Sequence, residues 1–265
     1  MKKNFPTEFV YQVFSLLIAI IIVHAIYVAV IRPDARAFLE QEAQAMQADP
    51  NYVPERSLPV IIKDFEQEAC FILMFWAFAI IIFKGVITHR QRLLLDKELI
   101  LLSEDMRILP QDTRELSRRI QALPAAVQSF LLPRTLTTAL QRFAATENIQ
   151  NVSTSVREIS ESESERLESE LSIIRYIAWA IPSIGFIGTV RGIGDALGQT
   201  HKAVEGDITG VTQSLGVAFN STFIALVISI VLMFFIYQLQ LMQERLVLDT
   251  ESYCDEHLIR HLQVP

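Results

Sequence analysis

Two rows of small and hydroxylated residues stand out from an otherwise bulky, apolar sequence. Ala178, Pro182, Gly185, Thr189 and Gly192 follow one another at intervals of 3 or 4, as do Ser214, Ala218, Thr222, Ala225 and Ser229. Each row therefore falls on one face of a helix. Within an apolar helix such a row serves one of two ends. It lets two backbones approach closely, for which Gly188-xxx-Gly192 is a usual device, or it lines a cavity holding another helix or a hydrated path, with threonine hydroxyls as the polar groups. Spacing alone leaves both open.

The four apolar blocks contain no Asp or Glu. A proton carrier within the membrane is usually a carboxylate or a histidine, and His24 alone, about four residues from the centre of its block, qualifies. It reads as a neutral histidine bonded to a neighbouring helix, because its surroundings supply no polar relay. If protons move through this chain, their carrier must come from another polypeptide. Asp195 and Asp207 read as solvated loop acids; Arg175 and Arg191 read as side chains snorkelling to headgroups. The run from Gly192 to Gly198 has the wrong spacing, and the wrong preceding element, for a dinucleotide fingerprint. GxxxxGK[ST], HExxH, GxSxG and CxxC are absent from the sequence, so the chain reads as no enzyme, with no metal site and no cofactor.

The elements carrying these residues follow from hydropathy. Of 265 residues, 51% are hydrophobic and only 20% charged, with 9 Gly and 10 Pro, which excludes disordered, collagenous and small disulfide-stapled classes. Phe9 to Ile31 forms about 34 Å of helix against a hydrocarbon core of roughly 30 Å. It is too long for a signal-peptide core. Spans at 69–87, 171–193 and 211–237 complete an all-α integral membrane protein with four transmembrane helices. Lys84 is expected to snorkel from the second span. A formal net charge of −7 argues against nucleic-acid binding. Cys70 and Cys254 fall on opposite sides of the membrane in this topology and cannot pair within one chain.

Lys and Arg are more numerous on the side of both termini (Lys2, Lys3, Lys84, Arg90 and Arg92 among them) than on the other (Arg32, Arg36, Arg56, Lys63, Arg191 and Lys202). The positive-inside rule then puts both termini in the cytoplasm. The expected organisation is a cytoplasmic tail at 1–8, periplasmic loops at 32–68 and 194–210, a cytoplasmic helical region at 88–170 and a cytoplasmic helical tail at 238–265. In the first loop 34–48 suits a short helix, while Pro50, Pro54 and Pro59 break the remainder. In the cytoplasmic region Leu93, Leu94, Leu99, Leu101, Leu102, Ile108 and Leu116 are spaced as helix faces, and Pro110, Pro124 and Pro133 mark helix ends. The acidic stretch Glu158 to Glu170 keeps apolar residues at helical spacing and should run on into the third span.

The segment ESERLESELSIIRYIAWAIPSIGFIGTVRGIGDAL resembles the hallmark of the MotA/TolQ/ExbB proton-channel family: an acidic helix, then Ala180-Ile-Pro182, then Gly185-Phe-Ile-Gly188-Thr189-Val190-x-Gly192-Ile193. The fourth span is similar to the family's next helix through Ala218, Ser221 and Thr222. The likeness is specific over about a quarter of the chain; the 88–170 region and the 32–68 loop match no member in detail. It implies a homopentamer with long cytoplasmic helical extensions in a bacterial inner membrane, surrounding a dimer of a single-span ExbD-, TolR- or MotB-like partner whose membrane Asp carries the proton. It further implies that Thr189 and Thr222 face the central helices, with Pro182 as the membrane proline. Ser221, Gly185, Ala218 and Ala225 complete the expected lining, and proton flow would do mechanical work on the envelope. A different reading of the same residues is a membrane sensor or scaffold, whose external loop detects a signal and whose cytoplasmic helices recruit a protein.

Overall fold

A computed structural model describes residues 7–48, 57–97, 99–100 and 107–264. Lys2, Lys3, Pro50, Pro54, Arg56, Leu101 and Leu102, which entered the sequence expectations, lie outside the described residues. The described chain is all-helical apart from one isolated parallel bridge between Ile108 and Leu262. Four of its helices are long and apolar enough to cross a membrane. It divides into two compact units, residues 1–82 with 173–236 and residues 83–172 with 237–265.

The first unit holds the apolar blocks. Helix α1 (Thr7–Ile26) passes through one π-helical turn (Tyr27–Ile31) into α2 (Arg32–Ala48). Pro33 follows the π turn directly within this continuous helix; its ring and missing N–H interrupt the regular ladder, and the wider turn before it accommodates them. The short α3 (Leu58–Ile62) precedes α4 (Phe65–Arg92). Helix α9 (Ser172–Gly198) carries Pro182 in its interior. A short α10 (Thr200–Val204) and Gly206, at φ +100, turn the chain into α11 (Thr209–His257). Only glycine takes that φ without strain. Asp207 Oδ1 accepts the Thr209 amide, 3.1 Å, and bonds from Thr209 hold its carboxyl below the usual range.

Several expectations change here. Helix α4 begins at Phe65 rather than Ala69, which brings Glu66, Gln67 and Glu68 into the helix. Tyr11 donates to the Ala79 carbonyl (3.1 Å) and the Trp76 indole to that of Gln12 (2.9 Å), while His24 meets Glu68 at 2.6 Å. This antiparallel register puts His24 level with the end of the α4 apolar block. It is thus at a rim rather than near a centre, and Ala25 to Ile31 reach past it.

The second unit has its own core. Helix α7 (Leu131–Thr146) packs antiparallel on α8 (Ile149–Glu170), joined through Glu147 at φ 49 and Asn148, whose side chain accepts the Asn151 amide at 3.2 Å. Leu136, Ala139, Leu140 and Phe143 of α7 meet Val152 and Val156 of α8, Leu116 and Ile120 of α5 (Thr113–Gln121), Tyr253 and Cys254 from the end of α11, and Leu258 just after it. Each large apolar side chain buried there contributes about 1.5–3 kcal/mol. The tail is thus part of this core, and the Ile108 amide donates to the His261 carbonyl at 2.8 Å to close it. Burial among these apolar neighbours pushes the Cys254 thiol up to about 12.

The acidic stretch is helical, as its spacing indicates, and Leu171 alone separates the end of α8 from the start of α9. The prolines mark helix starts instead of ends. Pro124 caps α6 (Ala125–Gln128) and Pro133 occupies the first turn of α7, where a missing N–H leaves no bond unmade. Between Lys97 and Thr113 no described residue is helical, although leucine spacing suggested helix faces. Leu94 and Ile108 are buried without being helical. Lys84 does not snorkel: it is buried and pairs with Glu170 at 2.8 Å.

Candidate functional site

The two rows of small residues face each other across α9 and α11. A Cβ built on Gly185 would come within 2.6 Å of Ala225 Cβ, on Gly188 within 2.5 Å of Ser221 Cβ, and on Gly192 within 2.6 Å of the Ser214 carbonyl oxygen. Nothing larger than hydrogen fits at these three positions, so glycine is what lets the two backbones meet. Further along the seam, Ser229 donates to the Ala178 carbonyl at 3.5 Å.

At the middle of the seam Thr189 and Thr222 hydrogen bond through their hydroxyls. The Thr189 oxygen also lies 3.1 Å from the Ala218 carbonyl and 3.2 Å from that of Gly185, and the Thr222 oxygen 3.2 Å from the Gly185 carbonyl. Two hydroxyls beside two carbonyls have alternative partners, so rotation can exchange bonds without stranding a polar group. Ser221, Gly185, Ala218 and Ala225 are buried in the seam; Thr189, Thr222 and Pro182 are half-buried at its edge. Contacts across the seam join Gly185, Thr189, Ala218, Ser221, Thr222 and Ala225, and Pro182 is carried by the same helix as Gly185 and Thr189.

The sequence reading missed the first turn of α4. Glu66, Gln67 and Glu68 are 8%, 0% and 6% exposed, deep burial for such side chains. Glu66 accepts both ends of the Arg191 guanidinium, 2.7 and 2.9 Å, so Arg191 is a partner within the fold and does not snorkel. Asp195 stands one turn further along, 3.8 Å from Arg191. The Gln67 amide donates to the Ile61 carbonyl (3.1 Å) and to Ser221 (3.4 Å), while Cys70 reaches the Ile181 carbonyl at 3.7 Å. Glu68 receives Arg32 on one oxygen and His24 on the other. Arg32 lies over the rings of Phe65 (4.5 Å) and Tyr27 (5.6 Å). The signal was an EQE triplet directly before an apolar block, with Arg32 and Arg191 at the ends of others.

Among the described residues no group of three or more His, Cys, Asp or Glu is arranged to hold a metal ion. The site is a helix seam whose polar groups are hydroxyls and carbonyls, fastened at one end by carboxylates.

Residues 128–252, just under half of the chain, match the model of the MotA/TolQ/ExbB proton channel family. Over those residues the chain is similar to that family. The matched stretch contains the whole α9–α11 seam. Together with the four apolar helices the match indicates a multi-pass membrane protein. No curated protein and no solved structure matches the chain.

Proposed function

We propose that this chain is the pore subunit of a proton-motive-force-driven motor in a bacterial inner membrane, with both termini in the cytoplasm. Five copies would enclose a dimer of a single-span partner resembling ExbD, TolR or MotB, whose membrane Asp carries the proton. The Thr189–Thr222 pair would offer exchangeable hydrogen bonds as that carboxyl passes, and ion flow would turn one component against the other to work on the envelope. The observation carrying this reading is the hydroxyl pair at the half-buried edge of a glycine-fitted seam, inside the segment that matches the family. Seam packing and lining are compatible, since one side of a hydroxyl can hold the neighbouring helix while its other side is presented outward.

Native mass spectrometry of the detergent-extracted chain, expressed with its genomic neighbours, tests the assembly. Five copies with two of a small single-span protein are expected. A monomer or dimer without such a protein overturns the motor reading and favours the sensor or scaffold, for which the long α1–α2 helix would be the sensing arm.

A further inference from the structure

The His24–Glu68 contact is not used by the seam, and it joins the histidine of the first apolar block to a carboxylate directly before the second. Glu68 is 6% exposed. One of its oxygens takes Arg32 and the other stands 2.6 Å from His24 Nδ1. The π-helical turn Tyr27–Ile31 makes this possible. A π turn adds one residue to the helical turn between α1 and α2, so His24 before it and Arg32 after it converge on one carboxylate, and such turns are frequent at functional sites. We propose that His24 and Glu68 form a second proton-binding site, belonging to this chain, whose occupancy controls how firmly α1 is tied to α4.

The chemistry is a single exchange. Neutral His24 gives Glu68 one N–H; a proton taken on the other ring nitrogen turns that bond into an ion pair, and its release restores the neutral bond. Arg32 of α2 bonds Glu68 directly, Tyr27 on the π turn lies near Glu68, Cys70, Arg32 and Asp64, and Asp64 in turn neighbours Lys63, Glu66 and Arg191. Burial pushes the Asp64 carboxyl up. The Tyr27 hydroxyl and Asp64 Oδ2 are buried without a hydrogen-bond partner, so the pair lies in a polar, incompletely satisfied pocket where one proton matters.

The α4 turn that holds His24 also holds α9 through Glu66–Arg191 and α11 through Gln67–Ser221. A change in the tie to α1 is therefore felt at the end of the seam. This consequence for ion flow rests on the proposed channel function; the proton site itself does not.

Hydrogen exchange of the Tyr27–Arg32 amides in the detergent-solubilised full chain, corrected for intrinsic rates, tests the site in wild type, His24→Gln and Glu68→Gln at about pH 5.5 and about pH 8. The wild type should be protected about threefold or more better at the lower pH, and both variants should lose that step. A step surviving in His24→Gln overturns the proposal, as does its absence from the wild type. Proton flux in liposomes reads the coupling. The wild-type pH profile should flatten equally in both variants and no further in the double variant. Identical profiles in all four overturn the coupling. If Thr222→Val leaves flux unchanged while the protection step behaves as expected, the channel reading fails and the proton site stands.

Discussion

Thr189 of α9 and Thr222 of α11, 33 residues apart in sequence, share a hydroxyl–hydroxyl bond at the edge of the seam, with the Gly185 carbonyl within reach of both. Each hydroxyl is close to more than one acceptor, so either can be deleted without unpacking the helices.

Thr222→Val keeps the shape of the side chain and removes its hydroxyl. Thr189 retains the Gly185 and Ala218 carbonyls, so assembly should be intact and thermal stability should change by no more than about 1 kcal/mol. Proton flux in liposomes containing the co-expressed partner should be lost. Unchanged flux would remove the threonine pair from the ion path.

Gly192→Ala should destabilise the chain by about 1–3 kcal/mol, because the new methyl meets the Ser214 carbonyl oxygen at 2.6 Å and the Ala218 amide nitrogen at 2.7 Å, backbone atoms that cannot turn away. Gly194→Ala and Gly198→Ala meet nothing within 4 Å and should be neutral, or stabilising by up to about 1 kcal/mol through helix propensity. Melting temperatures in detergent distinguish the two classes.

Arg191→Met leaves the Glu66 carboxylate buried without its counter-charge. Since Arg191 is itself 42% exposed, the loss should be about 1–3 kcal/mol. Adding Glu66→Leu should restore most of it, as replacing both members of a buried pair removes the desolvation penalty as well. A double variant no more stable than the single one would show that the pair is not coupled.

Glu163 in α8 is buried, which opposes its charge, yet the guanidinium groups of Arg166 (2.5 Å) and Arg134 (2.8 Å) hold its carboxyl below the usual carboxylate range. A carboxyl depressed in the folded state stabilises it at pH above the unfolded value of about 4.5, and that contribution disappears as pH falls through the folded value. Melting temperature should therefore drop below about pH 4.5. Glu163→Gln should be less stable at neutral pH and show a shallower drop. Equal slopes for both proteins would mean that Glu163 is not part of the acid response.

The sequence by itself determined what belongs to single segments. Four long apolar runs must be helices in a bilayer, because length and hydropathy are properties of a run and need no neighbour. The 3- and 4-residue spacing likewise put Gly185, Thr189 and Gly192 on one face and Ala218, Thr222 and Ala225 on another. Tertiary structure decided that these two faces meet. It also decided that Lys84 is buried on Glu170, and that the tail completes the core around Phe143. The acids escaped notice for the same reason: Glu68 finds His24 across 44 residues and Glu66 finds Arg191 across 125. A charge beside an apolar run has the same hydropathy whether it faces water or a guanidinium, and only the register between helices sets which.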